Sequence, residues 1–116
     1  MRVFTLGSDR SIERFGSVGA MAGPVARAVE RGQLVRIELA PGGVLGRHEA
    51  VADQLFIVVG GDGTVTGGDE IEAPIHAGMA AFWNAGELHQ TRAGENGLVA
   101  LVLEGHFTLP DAERRG

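Results

Sequence analysis

Apolar and polar residues alternate along several short stretches of this chain, and glycine-rich turns separate these stretches. The alternation is clearest over residues 34–40, where apolar side chains recur at every second position, as in a strand with one buried face. A denser apolar run follows at 54–59. The most apolar run of all, 98–103, predicts a central strand that is buried on both faces.

Shorter or less regular segments complete the predicted set of strands. They are residues 2–6, 12–15, 64–66, 71–76, 79–83 and 88–92, with turns at 67–70, 84–86 and 93–97. Pro74 places one of them at a sheet edge, because proline cannot donate a backbone hydrogen bond. We expect residues 16–23 to be a loop or irregular edge, 24–31 a helical turn or an edge strand, and 111–116 a polar tail. About eight to ten short strands without a long helix predict an all-β sandwich or barrel.

The composition indicates one globular domain and narrows its chemistry. The chain has 116 residues, of which 44% are hydrophobic and 22% charged, values typical of one ordinary domain. Its 19 glycines agree with many tight turns. The net charge of −5 argues against nucleic-acid binding. Because cysteine is absent, disulfides and thiolate metal ligands are excluded.

No segment of the sequence is typical of secretion or of membrane insertion. The N-terminal apolar run is interrupted by Gly7 and Asp9, which is unlike a signal peptide. The alanine-rich stretch 20–29 contains Pro24 and Arg27 and cannot span a bilayer. We therefore expect a cytoplasmic protein without a membrane partner.

Two blocks of sequence, each with a histidine beside a glycine-rich turn, resemble the two motifs of the cupin superfamily. The first motif has the form G-x5-H-x-H-x3,4-E-x6-G, and the matching positions here are Gly42, His48, Ala50, Gln54 and Gly61. Both glycines and the first histidine agree with the motif. Ala50 replaces the second histidine, and Gln54 replaces the glutamate.

The second motif has the form G-x5-P-x-G-x2-H-x3-N, and the matching positions are Gly78, Asn84, Gly86, His89 and Ala93. Both glycines and the histidine agree, whereas Asn84 replaces proline and Ala93 replaces asparagine. The two motifs lie in order and at a short spacing in a chain of predicted strands. The chain therefore resembles the small single-domain, conserved-barrel cupins.

This resemblance implies a double-stranded β-helix, or jelly-roll barrel, formed by one cupin domain over residues 1–116. The barrel that carries the motifs would cover about residues 33–107, with N-terminal strands and a loop over 1–32. A homodimer paired through an edge strand is compatible with this fold. The two motif strands would bring His48 and His89 together inside the barrel.

The resemblance also implies a divalent metal site, which this chain keeps only in part. A complete cupin site offers three histidines and a glutamate. Here His48, Gln54 and His89 would bind Zn, Ni, Fe or Mn through three neutral groups, so the metal affinity should be lower. Glu49 would replace the missing carboxylate only if its loop turned it inward, against the alternation of a strand.

Several further residues are candidates for the lining of the pocket or for proton transfer. The predicted pocket residues are Phe56, Val58, Trp83 and His106; the catalytic candidates are Glu87 and Glu104. Glu87 shares a strand face with His89, and Glu104 shares one with His106. The alternative for the aromatic residues is an ordinary core position, and for His106 and His76 a position at the surface.

Three functions are compatible with this pattern. The first is a barrel of unassigned activity that binds a divalent metal, a small organic ligand or both. The second is a metal-dependent enzyme of the dioxygenase, isomerase or decarboxylase type, in which open coordination positions support Lewis-acid or O₂ chemistry. The third is a structural or regulatory barrel with a vestigial site. The loss of one histidine and the glutamate favours the first or third function, and the two retained histidines favour the first or second, so we rank them in this order. The fold alone does not decide between them, because it hosts many unrelated chemistries.

Overall fold

The computed structural model describes residues 10–27 and 32–107. These residues form seven strands and one short 3-10 turn. In chain order they are β1 (Arg10–Ile12), the 3-10 turn Arg14–Gly16, β2 (Val18–Arg27), β3 (Gln33–Glu49), β4 (Asp53–Thr66), β5 (Ala73–His76), β6 (Ala80–Trp83) and β7 (Leu88–Gly105). The all-β prediction is therefore confirmed.

All strand pairs are antiparallel, and β7 occupies the centre of the sheet. The strand order is β1-β2-β3-β7-β4-β5, and β6 also pairs with β4. The apolar run predicted to be central lies in β7, where it contacts β3 on one side and β4 on the other. The short strand that contains Pro74 lies at the β5 edge, as the sequence predicts.

The long strands bend where their pairing shifts register. Against β7, the register of β3 shifts between Leu39 and Val44, and that of β4 shifts between Gly61 and Gly63. Gly61 has a φ of +75°, and a Cβ atom there would collide with the carbonyl oxygen of Gly97. A glycine is therefore required at this corner, because its lack of a Cβ permits both the left-handed backbone and the close approach.

The core lies on the inward face of the sheet. Alternate residues of β4 are buried, beginning with Gln54 and continuing through Phe56 and Val58. Leu39 from β3 and Leu98 from β7 are each 2% exposed and complete the centre of this cluster. The alternation that predicts these strands therefore also orients the side chains that form the cavity described below.

Two predictions about individual segments are wrong. Residues 16–23, predicted to be a loop or irregular edge, lie mostly in β2, which pairs with β3 through two register shifts. Residues 93–97, predicted to be a turn, instead form an irregular stretch inside the continuous strand β7. In both cases glycine marks a bulge rather than the end of a strand.

Other predictions concern the ends of the chain. Of the strand predicted at 12–15, only Ile12 lies in a strand, because β1 ends there and the 3-10 turn begins at Arg14. The strand predicted at 2–6 and the tail at 111–116 lie outside the described residues. Within the described part of the chain, no helix is long and apolar enough to cross a membrane.

Candidate functional site

The site is a cavity of about 300 Å³ on the inward side of the curved sheet. Six of the seven strands contribute residues to it, and so does the 3-10 turn. Its walls combine aromatic and aliphatic side chains with nearly as many polar and charged ones, so they offer a small molecule both apolar contact and hydrogen bonds. Both motif histidines and Gln54 lie in this lining.

His48 and His89 are a directly opposed pair on adjacent strands. His48 of β3 and His89 of β7 are register partners, and their ring centroids are 4.4 Å apart with the planes tilted by 51°. Directly opposed residues of antiparallel strands bring their side chains this close. The strand pairing, rather than a loop, therefore sets the separation of the two imidazoles.

Backbone hydrogen bonds define which nitrogen of each imidazole is free. Nδ1 of His48 lies 2.7 Å from the carbonyl oxygen of Gly46, and Nδ1 of His89 lies 3.2 Å from that of Glu87. A carbonyl oxygen can only accept, so each Nδ1 carries the proton and donates it. In the neutral ring Nε2 then keeps its lone pair, which leaves one free acceptor or ligand atom on each histidine.

His89 is held in its neutral form by its surroundings. It is 2% exposed, and burial lowers its pKa because the imidazolium loses hydration. The hydrogen bond to the Glu87 carbonyl acts in the opposite direction, and the neighbouring His48 lowers the pKa further. At neutral pH the lone pair of His89 is therefore available.

Aromatic rings enclose the histidine pair. The ring of Phe15 is stacked on His48, with centroids 4.1 Å apart and planes 7° apart. Trp83 lies 4.5 Å from His89, and Phe56 packs edge-on against Trp83 at 5.6 Å. These contacts confine the orientation of both imidazoles and make this part of the cavity apolar.

A carboxylate held by two amides lies in the same cavity. The Oε1 atom of Glu104 accepts a hydrogen bond from Nε2 of Gln54 at 2.8 Å. Its Oε2 atom accepts one from Nε2 of Gln33 at 2.6 Å. Sequence reasoning identified Glu104 and Gln54 but not Gln33, whose role depends on the pairing of β3 with the end of β7. The amide nitrogen of Gln54 is thus committed to Glu104.

The residues present fit a divalent metal only in part. The two free Nε2 atoms are suitable ligands, and the carbonyl oxygen of Gln54 would be a weak third one. Among the described residues, no group of three or more histidine, cysteine, aspartate or glutamate side chains is placed to hold a metal. Ala50, at the motif position of the second histidine, is 3% exposed and offers no ligand atom.

The other sequence candidates divide into those inside and those outside the cavity. Phe56, Trp83 and Glu104 line it. Val58 is 1% exposed and belongs to the core cluster rather than to the lining. His106 is exposed beyond the end of β7 and is not part of the lining.

Glu87 lies outside the cavity and stabilises a turn. Its carboxylate accepts backbone hydrogen bonds from Gly68 and Asn84, each at 3.1 Å. These bonds lower the pKa of Glu87, because they stabilise the ionised form. Glu49 and His76 are exposed and also lie outside the lining.

Sequence reasoning missed the side chains that the N-terminal segment adds to the cavity. Arg10 of β1, together with Arg14 and Phe15 of the 3-10 turn, contributes to the lining. They reach it because β1 pairs with β2, and β2 with β3. No motif marks these positions.

Comparison with known families agrees with the two motifs. The model of the cupin domain matches residues 35–105, which is more than half of the chain. The chain belongs to the cupin family. Cupins commonly bind divalent metals, and members of the family differ in activity.

Solved cupin structures share the fold of this chain at low sequence identity. A predicted oxalate decarboxylase from Thermotoga maritima is 22% identical, with a TM-score of 0.73 over 84% of this chain and 90% of that one. The polyketide cyclase RemF from Streptomyces resistomycificus is 18% identical, with a TM-score of 0.75 over 96% and 88%. A protein of unknown function from Rhizobium leguminosarum is 23% identical, with a TM-score of 0.71 over 92% and 98%. The comparison with curated proteins found no match.

Proposed function

We propose that this cupin binds a small organic molecule in its barrel, with His48, His89 and Gln54 as polar contacts. The observation that carries the proposal is the opposed histidine pair, in which both Nδ1 atoms donate to backbone carbonyls and both Nε2 atoms are left free. Two acceptors on adjacent strands, in the lining of a cavity of about 300 Å³, suit a ligand that carries hydroxyl or amide donors.

The other lining residues support this function in different ways. Trp83, Phe56 and Phe15 add apolar surface to the wall of the cavity, against which the body of a ligand can pack. Glu104, held by Gln33 and Gln54, is a fixed acceptor on another part of the wall. Because these groups are positioned by strand pairs and hydrogen bonds before a ligand arrives, binding would require little reordering.

A divalent metal held by His48, His89 and the carbonyl oxygen of Gln54 is the second candidate. The specific observation that favours it is the hydrogen bonding of both Nδ1 atoms, because metal-bound histidines are usually oriented in this way. A bound metal would supply Lewis-acid chemistry at its open positions. It ranks second because all three donors are neutral and the amide is a weak ligand.

If the protein is also an enzyme, Glu104 is the candidate for proton transfer, because of the two catalytic candidates only Glu104 lines the cavity. The similar structures include a predicted oxalate decarboxylase and a polyketide cyclase, which are described with different reactions. One fold therefore accompanies several chemistries, and these similarities favour no single reaction for this chain. We accordingly assign binding and leave the reaction unassigned.

Ligand binding is testable through the single tryptophan. Trp83 is the only tryptophan of the chain and lines the cavity, so its fluorescence should respond to occupancy. We expect members of a panel of small hydroxylated and aromatic compounds to change the emission of the wild-type protein. The His48→Ala and Gln54→Ala variants should bind the same compounds at least about tenfold more weakly, which is about 1.4 kcal/mol.

Matched controls are available because two histidines lie outside the cavity. His76 and His106 are exposed, so His76→Ala and His106→Ala should bind like the wild type. The proposal fails if no compound of the panel changes the fluorescence. It also fails if the cavity and control variants lose binding equally.

Metal content separates the second candidate from the first. The protein should be prepared without a histidine tag, reconstituted with Zn, Ni, Fe or Mn, and measured by inductively coupled plasma mass spectrometry. Near-stoichiometric metal in the wild type and its loss in the His48→Ala, His89→Ala double variant would support a metal site. Equal or negligible metal in both proteins would eliminate it.

A further inference from the structure

Two arginines at the edge of the cavity form no ion pair with the residues that the structure describes. Arg10 and Arg14 both line the cavity and are also exposed, which places them at its mouth. Within residues 10–27 and 32–107, the ion pairs are Arg36 with Glu38 and Arg47 with Glu70. Neither Arg10 nor Arg14 belongs to these pairs.

Among the lining residues that the structure describes, the formally charged groups are Arg10, Arg14 and Glu104. Their summed charge is positive, whereas the chain as a whole is negative. The two oxygens of Glu104 already accept hydrogen bonds from Gln33 and Gln54, whereas the guanidinium groups keep their donors free for a ligand. An excess of positive charge among the described lining residues, in a protein of net charge −5, favours an anion as the ligand.

We propose that the ligand is a small organic anion, a monocarboxylate whose compact aromatic or aliphatic body also carries a hydroxyl donor for the two histidines. This inference rests on the proposed function, because it names the chemical class of ligand for the same cavity. Arginine is suited to a carboxylate, since its planar fork donates two parallel hydrogen bonds to the two oxygens. Glu104 disfavours a second carboxylate in the same cavity by charge repulsion.

The surroundings of the two arginines agree with a carboxylate attached to an apolar body. Phe15 follows Arg14 in the 3-10 turn, and the guanidinium of Arg14 lies 5.3 Å from the centre of the Phe15 ring. Ile12, in β1 with Arg10, also lines the cavity. Cationic donors thus lie beside apolar surface, so one small molecule can satisfy both.

The test compares acids with neutral amides of the same shape. 4-Hydroxybenzoate is compared with 4-hydroxybenzamide, and 6-hydroxyhexanoate with 6-hydroxyhexanamide, by Trp83 fluorescence in the 116-residue chain. We expect each acid to bind the wild type about tenfold more tightly than its amide, as charge-assisted hydrogen bonds allow. The Arg10→Gln, Arg14→Gln double variant should lose this preference, because its affinity for the acids falls by more than its affinity for the amides. Added salt should lower the affinity for the acids and leave the affinity for the amides unchanged.

The matched control is Arg92→Gln, because Arg92 is an exposed arginine outside this cavity. The control should bind acids like the wild type. Equal affinity for acids and amides would overturn the anion inference and leave the proposed function intact. The inference is also overturned if the acids bind but the Arg10 and Arg14 substitutions have no effect. If only neutral compounds bind, and His48→Ala abolishes their binding, the ligand class is wrong and the binding function stands.

Discussion

The ring of Phe15 lies flat on the imidazole of His48, with ring centroids 4.1 Å apart. Phe15 adopts a φ of +61°, which is costly for a residue with a side chain. The turn that carries Phe15 is joined to β3 by the backbone NH of Gly46, which donates to the Ser17 hydroxyl at 3.0 Å. This strained turn therefore covers one wall of the histidine pair.

Replacing Phe15 separates the contribution of its ring from that of its backbone. Phe15→Ala and Phe15→Gly both remove the stacked ring, and both should make His48 react faster with diethylpyrocarbonate. Phe15→Gly should be more stable than Phe15→Ala by about 1 kcal/mol, because glycine adopts a positive φ without strain. Urea denaturation measures this difference. Equal reactivity of His48 in wild type and variants would contradict the covering role.

A methyl group at Gly46 should displace the same turn. A Cβ atom at Gly46 would collide with the backbone carbonyl of Phe15, so the 3-10 turn must move. We expect Gly46→Ala to shift the NMR signals of residues 14–16 and to weaken ligand binding. The matched control is Gly42→Ala, where a Cβ meets no atom within 4 Å and only the positive φ is unfavourable. That control should lose about 1–2 kcal/mol of stability and retain binding. An unchanged turn in Gly46→Ala would contradict the close approach.

Glu104 should stabilise the fold through its two amide partners. In Glu104→Gln one carboxylate oxygen becomes an NH₂ group, which opposes the donor of Gln33 or Gln54. We expect a loss of about 1–2 kcal/mol in the free energy of unfolding, measured by urea denaturation. The control Glu38→Gln removes an exposed ion pair with Arg36 and should cost about 0.5 kcal/mol or less. Equal losses of stability in the two variants would show that the hydrogen bonds from Gln33 and Gln54 to Glu104 do not require its negative charge.

His89 should make the fold less stable as the pH falls. Burial lowers the folded-state pKa of His89 below its ordinary value of 6.5, so the unfolded chain takes up the proton first. Stability is therefore fully present above pH 6.5, decreases below it, and becomes constant again below the folded-state pKa. His89→Gln should reduce this dependence, whereas His76→Gln should not. A titration of His89 by NMR to a pKa of 6.5 or above would contradict the prediction.

The two motif histidines should carry their protons on Nδ1 at neutral pH. The carbonyl oxygens of Gly46 and Glu87 require this tautomer. Nitrogen-15 chemical shifts of the imidazoles distinguish the tautomers directly. His106, exposed beyond β7, serves as the reference for a ring without these constraints. A protonated Nε2 on either His48 or His89 in the free protein would remove the basis of the proposed contacts.

The motif spacing placed the histidine pair correctly, because the positions reflect simple strand geometry. The four glycines that match the motifs, at positions 42, 61, 78 and 86, all have positive φ values. The spacing therefore records where strands bend or turn. The alternation from Gln54 through Phe56 to Val58 likewise predicted which face of β4 is buried.

The sequence could not reveal contacts that depend on non-local pairing. Gln33 reaches Glu104 across 71 positions of the chain, and no local pattern marks either residue as a partner. For Glu87 the sequence predicted a contact that the structure does not have. Glu87 lies two residues before His89, so the alternation of a strand placed both side chains on the face of the pocket. The turn at 84–87 instead directs its carboxylate to the backbone of Gly68 and Asn84.

The central position of β7 links the cavity to the folding of the whole domain. Gln54 and Glu104 are 50 positions apart, and both β3 and β4 must pair with β7 before the polar wall exists. Such distant pairings form slowly, since the entropy of closing long loops must be overcome first. A half-folded chain would therefore have no partial affinity for the ligand. A ligand in the cavity would therefore stabilise the whole domain against unfolding, because a ligand that binds only the native state shifts the folding equilibrium toward that state.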